Sequence, residues 1–122
     1  MDVLLVEDEP LVREMLHEDL VDAGLSVLPA PSAEEGLSAA EQQGPPPAVL
    51  VTDVNLGPGM DGLALAEEAQ RRWPHLAVVV MTGDERNLSR LPDDLRGLCF
   101  VKPFNPPRLT DAVNMLMGRS AR

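Results

Sequence analysis

Ala48-Val49-Leu50-Val51-Thr52-Asp53 is an apolar run that stops on a carboxylate and is followed by the turn-forming Asn55-Leu56-Gly57-Pro58-Gly59. A short β-branched stretch bounded by Gly and Pro reads as a strand buried on both faces, the kind found at the centre of a parallel sheet. Its carboxylate then lies at the strand's C-terminal tip, where open α/β sheets place their ligands.

The same pattern repeats on either side. Val3-Leu4-Leu5-Val6 is a compact strand ending at Glu7-Asp8-Glu9, and Pro10 supplies the fixed φ favoured at a first helical position. Val12, Met15, Leu16, Leu20 and Ala23 form one apolar stripe on the helix that follows, with Gly24 as its stop. Leu25 to Leu28 reads as a second strand, ended by Pro29. Ser32 and Glu35 make a capping box for a helix carrying Ala33, Leu37 and Ala40 that breaks at Gly44.

Beyond Asp53, Gly62, Leu65, Ala66, Ala69 and Trp73 define a third amphipathic helix, stopped by Pro74. Ala77 to Met81 is a fourth strand, ending at Thr82-Gly83. Between Asp84 and Leu95 the apolar Leu88 and Leu91 fit only a short helix, interrupted by Pro92. Leu98 to Val101 is a fifth strand ending on Lys102-Pro103, and Pro106-Pro107 opens a last helix with its stripe at Leu109, Ala112, Val113 and Leu116. Residues 118–122 are expected to fray. Strands alternating with helices pair in parallel through right-handed crossovers, which predicts an α/β three-layer sandwich.

Composition narrows the function. The 122 residues predict one domain, 1–122, with a core of its own. A net charge of −10 repels a phosphate backbone, so no nucleic-acid partner is expected. Trp73, Phe100 and Phe104 are the only aromatics, too few for a stacking platform. No window approaches the roughly 18 apolar residues of a membrane span, and no targeting segment is evident, so the expected setting is the cytoplasm without a membrane partner. The lone Cys99 lies in an apolar stretch and is expected to be a small buried hydrophobe.

In a parallel sheet all strand C-termini share one edge, which gathers Glu7, Asp8, Asp53, Thr82 and Lys102. Carboxylates packed together raise one another's pKa unless a cation sits among them. An oxygen-lined acidic cluster suits Mg²⁺, which keeps waters and takes one or two carboxylates. Thr82 offers a hydroxyl donor, Lys102 a point charge for an arriving anion, and Gly83 leaves room beside them. These are the parts for moving a phosphoryl group onto Asp53.

Leu4-Leu5-Val6-Glu7-Asp8-Glu9-Pro10, Asp53, Met60-Asp61-Gly62, Thr82-Gly83 and Lys102-Pro103-Phe104, in this order and spacing, resemble the receiver domains of two-component response regulators across essentially the whole chain. The resemblance implies a flavodoxin-like (βα)5 doubly wound sandwich with a five-stranded parallel sheet of order 2-1-3-4-5, for which this family is a standard example. It implies that Asp53 accepts phosphate from a histidine kinase or phosphotransfer protein, aided by Thr82 and Lys102. Asp8, Asp53 and the main-chain carbonyl of Asn55 would bind Mg²⁺, with Glu7 acting through water. Asp84, two residues after Thr82, matches a position that modulates dephosphorylation and can equally be an ordinary helix N-terminal acid.

Three departures stand out. Cys99 occupies the position three before the lysine, where the family commonly has an aromatic residue that reports phosphorylation. Strand alternation points the adjacent Phe100 to the opposite face. The loop from Asp53 to Gly62 is one residue longer than the common pattern, and the stretch from Thr82 to Lys102 is shorter, which with Pro92 predicts an altered fourth helix.

The expectation is therefore a stand-alone receiver, a monomer or weak dimer, that catalyses only its own phosphorylation and dephosphorylation and signals to a downstream protein by contact or phosphorelay. Leu11, off the core stripe, is a candidate contact for the kinase. The alternatives are a phosphorylation-independent binding module and a receiver fragment of a hybrid kinase. A phosphatase with an aspartyl-phosphate intermediate usually needs a second acid two residues after the nucleophile, where this chain has Asn55. Flavin or nucleotide binding lacks a glycine-rich phosphate loop after the first strand.

Overall fold

The computed structural model describes residues 1–91 and 97–118. Its strands are β1 (Val3–Val6), β2 (Val27–Ala30), β3 (Val49–Asp53), β4 (Ala77–Thr82) and β5 (Gly97–Val101), and its helices are α1 (Pro10–Asp22), α2 (Ala33–Gln42), α3 (Gly62–Arg72) and α4 (Pro106–Leu116). All strands are parallel, in the order β2-β1-β3-β4-β5. This is the flavodoxin-like arrangement expected from the sequence.

Alternation along the central strands divides the core in two. Leu4, Val6, Leu50, Val78 and Val80 face Leu37 of α2 and Leu65, Ala66 and Ala69 of α3. Val3, Leu5, Val49, Val51, Val79 and Met81 face Leu16 and Leu20 of α1 and Leu109 and Val113 of α4. Each such Val or Leu contributes about 2 kcal/mol by leaving water. No helix among the described residues is long and apolar enough to cross a membrane.

The helix ends follow their chemistry. Pro10 opens α1, and the chain leaves it through Gly24 at φ +87°. Ser32 Oγ accepts the Glu35 N–H at 3.2 Å to start α2. Asp61 caps α3 by accepting the Ala64 N–H at 2.8 Å, and α4 starts on Pro106-Pro107.

Three expectations are corrected, and one is made specific. The second strand is Val27–Ala30, two residues later than Leu25–Leu28, and Pro29 lies inside it. On this edge strand the Ser26 carbonyl accepts from Val3 N–H and the Ala30 carbonyl from Glu7 N–H. Alternation then turns the Pro29 nitrogen outward, where the ladder needs no donor. Met15 is exposed rather than part of the buried stripe of α1. Cys99 is only half-buried, because β5 is the other edge of the sheet. The altered fourth helix is a 3₁₀ helix, Glu85–Arg90. The expectations for Pro92 to Leu95 and for the last four residues of the frayed tail lie outside the described residues.

Candidate functional site

Register brings the chemistry together. Val6 pairs with Thr52, so Glu7 and Asp53 leave their strands side by side, and Thr82 pairs with Val101, one residue before Lys102. Apolar strands stop here because the next residues are polar and the sheet edge is the first place they can meet solvent or a ligand.

Asp53 is 6% exposed. Its Oδ1 accepts the Asn55 N–H at 3.0 Å, and its Oδ2 accepts from the Lys102 ammonium. Lys102 Nζ also lies 3.4 Å from Glu7 Oε1. Glu7 is 1% exposed; its Oε2 accepts the Glu9 N–H at 3.0 Å, while Arg13 donates to its main-chain carbonyl at 2.8 Å. Phe100 points to the α1 and α4 face, as alternation requires, and packs against Phe104 with the rings tilted by 52° and centroids 5.4 Å apart.

The electrostatics show a site short of positive charge. Burial pushes the Glu7 carboxyl up to about 6, and the Asp53 and Asp8 carboxyls add to the rise against the opposing Glu9 N–H and Lys102 ammonium. Burial alone would lower Lys102, but its hydrogen bond to Asp53 and the charges of Glu7 and Asp53 raise it instead. Among the described residues the Lys102 ammonium thus contacts two carboxylates, Glu7 and Asp53, with Asp8 at the rim beside them. Oxygen donors in excess of cations fit a hard divalent ion. Among the described residues no three His, Cys, Asp or Glu side chains are posed to hold a metal by themselves; Mg²⁺ typically takes only one or two carboxylates and completes its shell with carbonyl and water oxygens.

Of the residues expected from the sequence, Glu7, Asp53 and Lys102 are in direct contact. Asp8 is exposed at the rim, next to Glu7 in the chain, and its carboxyl contributes to the raised Glu7 pKa. Thr82 is adjacent, yet its hydroxyl bonds to Asp84 and Asn87. Asp84 caps the 3₁₀ helix, accepting the Arg86 N–H at 2.9 Å, and the Arg86 side chain holds its carboxyl below the usual range.

The loop after Asp53 is held from α2. Glu34 Oε2 accepts the Met60 N–H at 2.9 Å, and the intervening Gly57 and Gly59 adopt φ of +77° and +97°, which side-chain-bearing residues rarely adopt. Sequence reasoning missed Asn87, Arg90 and the second role of Asp61. Arg90 donates to Asn87 Oδ1 at 3.0 Å and to Asp61 Oδ2 at 2.9 Å. Asp61→Ala, which loses the α3 cap, is expected to cost about 1 kcal/mol, read as a lowered urea midpoint, and Asp61→Asn to recover most of it; the exposed ion pair with Arg90 adds little.

A separate cleft of about 460 Å³, lined by Pro46, Trp73, His75 and Leu116 among others, opens at the N-terminal ends of β3 and β4, away from these residues. A smaller apolar one of about 280 Å³ runs between Val12 and Met15 of α1 and Pro103, Phe104 and Pro106, with Lys102 at its wall.

The family profile of the response regulator receiver domain matches residues 3–114. The transcriptional regulatory protein AruR of Pseudomonas aeruginosa is 32% identical over 96% of this chain, and the chain spans about half (49%) of AruR. A 14.6 kDa uncharacterized protein encoded in the sodA1 3′ region of Leptolyngbya boryana is 45% identical over 89% of this chain and 84% of its own length. Among solved structures, the response regulator TrrA of Thermotoga maritima in complex with Mg²⁺-BeF superposes with a TM-score of 0.81 at 29% identity, covering 95% of this chain and 99% of that one. With the sheet order, the matched profile and the cluster of Glu7, Asp53 and Lys102 in agreement, this chain belongs to the response regulator receiver domain family.

Proposed function

We propose that residues 1–122 form a receiver unit that accepts a phosphoryl group on Asp53 from a histidine kinase or phosphotransfer protein, in an Mg²⁺-dependent reaction, and signals through contacts with another protein. The observation that carries this reading is Asp53 itself, a buried carboxylate at a strand tip with one oxygen on a main-chain N–H and the other on an ammonium.

In the step, a carboxylate oxygen of Asp53 attacks phosphorus in line; the new O–P bond forms as the bond from phosphorus to the donor imidazole breaks, and the imidazole nitrogen leaves with the electron pair. The Asn55 N–H orients the carboxylate, and Lys102 neutralises charge on the equatorial oxygens. Asp8, Asp53 and the main-chain carbonyl of Asn55 are the groups to hold Mg²⁺, with Glu7 acting through water. The ion, when bound, supplies further positive charge to the transferring group. Water attacking the same phosphorus later returns the Asp53 carboxylate and releases phosphate.

Incubation with Mg²⁺ and a small-molecule phosphodonor tests this directly by intact mass. The expected result is a gain of one phosphoryl group that disappears with a chelator. No gain would leave a phosphorylation-independent binding module as the better reading.

The kinase meets the protein at the α1 end of the site. Leu11 is 76% exposed beside Glu9 and Pro10, and Met15 borders the apolar cleft that ends at Lys102. Leu11→Ala is expected to slow phosphotransfer from a competent histidine kinase about fivefold, with the rate from a small-molecule donor unchanged. Equal slowing of both rates would place the effect in the site and not at the interface.

A further inference from the structure

Thr82 is fully buried, and its hydroxyl is saturated. It donates to the Asp84 carbonyl at 3.1 Å, accepts the Asp84 N–H at 3.0 Å, and accepts from Asn87 Nδ2 at 2.9 Å. A hydroxyl has one proton and two lone pairs. Thr82 can therefore donate to a phosphoryl oxygen on Asp53 only by giving up its bond to the Asp84 carbonyl, and can move toward that oxygen only by leaving Asn87.

The Asn87 amide has a defined orientation. Arg90 has donors only and donates to Oδ1 at 3.0 Å, which leaves Nδ2 for Thr82. Asn87 is 8% exposed, so an Nδ2 abandoned by Thr82 has little water to turn to and must find another partner by moving. Its movement pulls on Arg90, and Arg90 is tied to Asp61, the cap of α3. A continuous polar line thus runs from the Thr82 hydroxyl across the 3₁₀ helix to the loop that follows Asp53.

We propose that Asn87 is a positioning residue that latches the Thr82 hydroxyl in its resting pose, and that release of this latch on phosphorylation is what shifts the Glu85–Arg90 segment and its tether at Asp61. The proposal rests on Asp53 being the phosphoryl acceptor. The exchange on Thr82 and Asn87 is one of hydrogen bonds alone. On this edge of the sheet the half-buried Cys99 supplies no aromatic ring to report Thr82, so the amide carries the report.

The test is a set of five proteins, wild type, Asn87→Ala, Thr82→Ala, the double variant and Arg90→Ala, titrated with beryllofluoride in the presence of Mg²⁺ and timed for phosphorylation by a small-molecule donor. Asn87→Ala is expected to tighten beryllofluoride binding about three- to tenfold, the effect of one hydrogen bond no longer needing to break, and the same change in the Thr82→Ala background is expected to do nothing. A merely structural Asn87 would lower thermal stability without this dependence on Thr82. Arg90→Ala removes an exposed side chain and is expected to act in the same direction with a smaller effect, which keeps the test alive if Asn87→Ala does not fold. Asn87→Ala and Arg90→Ala both matching wild type, or an effect of Asn87→Ala that persists without Thr82, overturns the latch. A wild type that takes up neither beryllofluoride nor phosphoryl overturns the acceptor reading and the latch with it, whereas a responsive wild type with unresponsive variants overturns the latch alone.

Discussion

Asp53→Asn is expected to lower phosphoryl uptake from a small-molecule donor by at least about a thousandfold, since it removes the nucleophile and not merely an accessory to it. The substitution is nearly isosteric. The amide oxygen can still accept from the Asn55 N–H or from Lys102, and Glu7 remains as a charged partner for Lys102. Loss of the Asp53 charge also relieves Glu7 of one of the carboxylates that raise its pKa, so the fold should persist while the chemistry stops. Intact mass and circular dichroism on the same sample distinguish the two. A variant that keeps its fold and still gains a phosphoryl group would move the acceptor away from Asp53.

Gly62→Ala is expected to have the largest effect on stability of any single methyl added to this protein's site region. A Cβ at Gly62 would come within 2.7 Å of the Asp53 carbonyl carbon and 2.9 Å of Val54 Cα, and closer still to the Asp53 carbonyl oxygen. All of these are backbone atoms, and none can rotate aside. The Gly62 N–H donates to the Val54 carbonyl at 2.8 Å, so α3 begins pressed against the end of β3. Alanine must push the two apart at a cost of about 3 kcal/mol, a large part of the roughly 5–15 kcal/mol that a domain of this size has in total. A fall of about 10 °C in thermal midpoint is the expected reading. Gly83→Ala is the control: its Cβ would meet nothing within 4 Å, and its stability should stay within about 0.5 kcal/mol of wild type. Equal midpoints for Gly62→Ala and wild type would show that α3 can retreat from β3 at no cost.

Glu7, Asp53 and Lys102 were legible because each follows an apolar run long enough to be a strand, and a parallel sheet leaves those ends one place to meet. Met60-Asp61-Gly62 was legible as a motif, but its reason was not: the close approach of α3 to β3 is a tertiary distance. The second strand was misplaced because Pro29 reads locally as a breaker, and only its position on an outer edge makes it harmless. Met15 fitted the helical stripe by period and lies outside the core because the cleft beside Lys102 is left open there. Asn87 carried no signal at all, being one polar residue in a segment without periodicity, and its role exists only through Thr82 and Arg90.

Pro29 has a wider effect. An open sheet has two borders at which a second molecule can add its own strand, and such additions need alternating donors and acceptors along the border. With the Pro29 nitrogen facing out, the β2 border lacks a donor near its middle. Continuous cross-molecule sheets, whether a tidy dimer or the start of a fibril, are therefore discouraged on that side. Encounters between copies are steered toward helical surfaces, where side chains, and hence regulation, decide whether they persist.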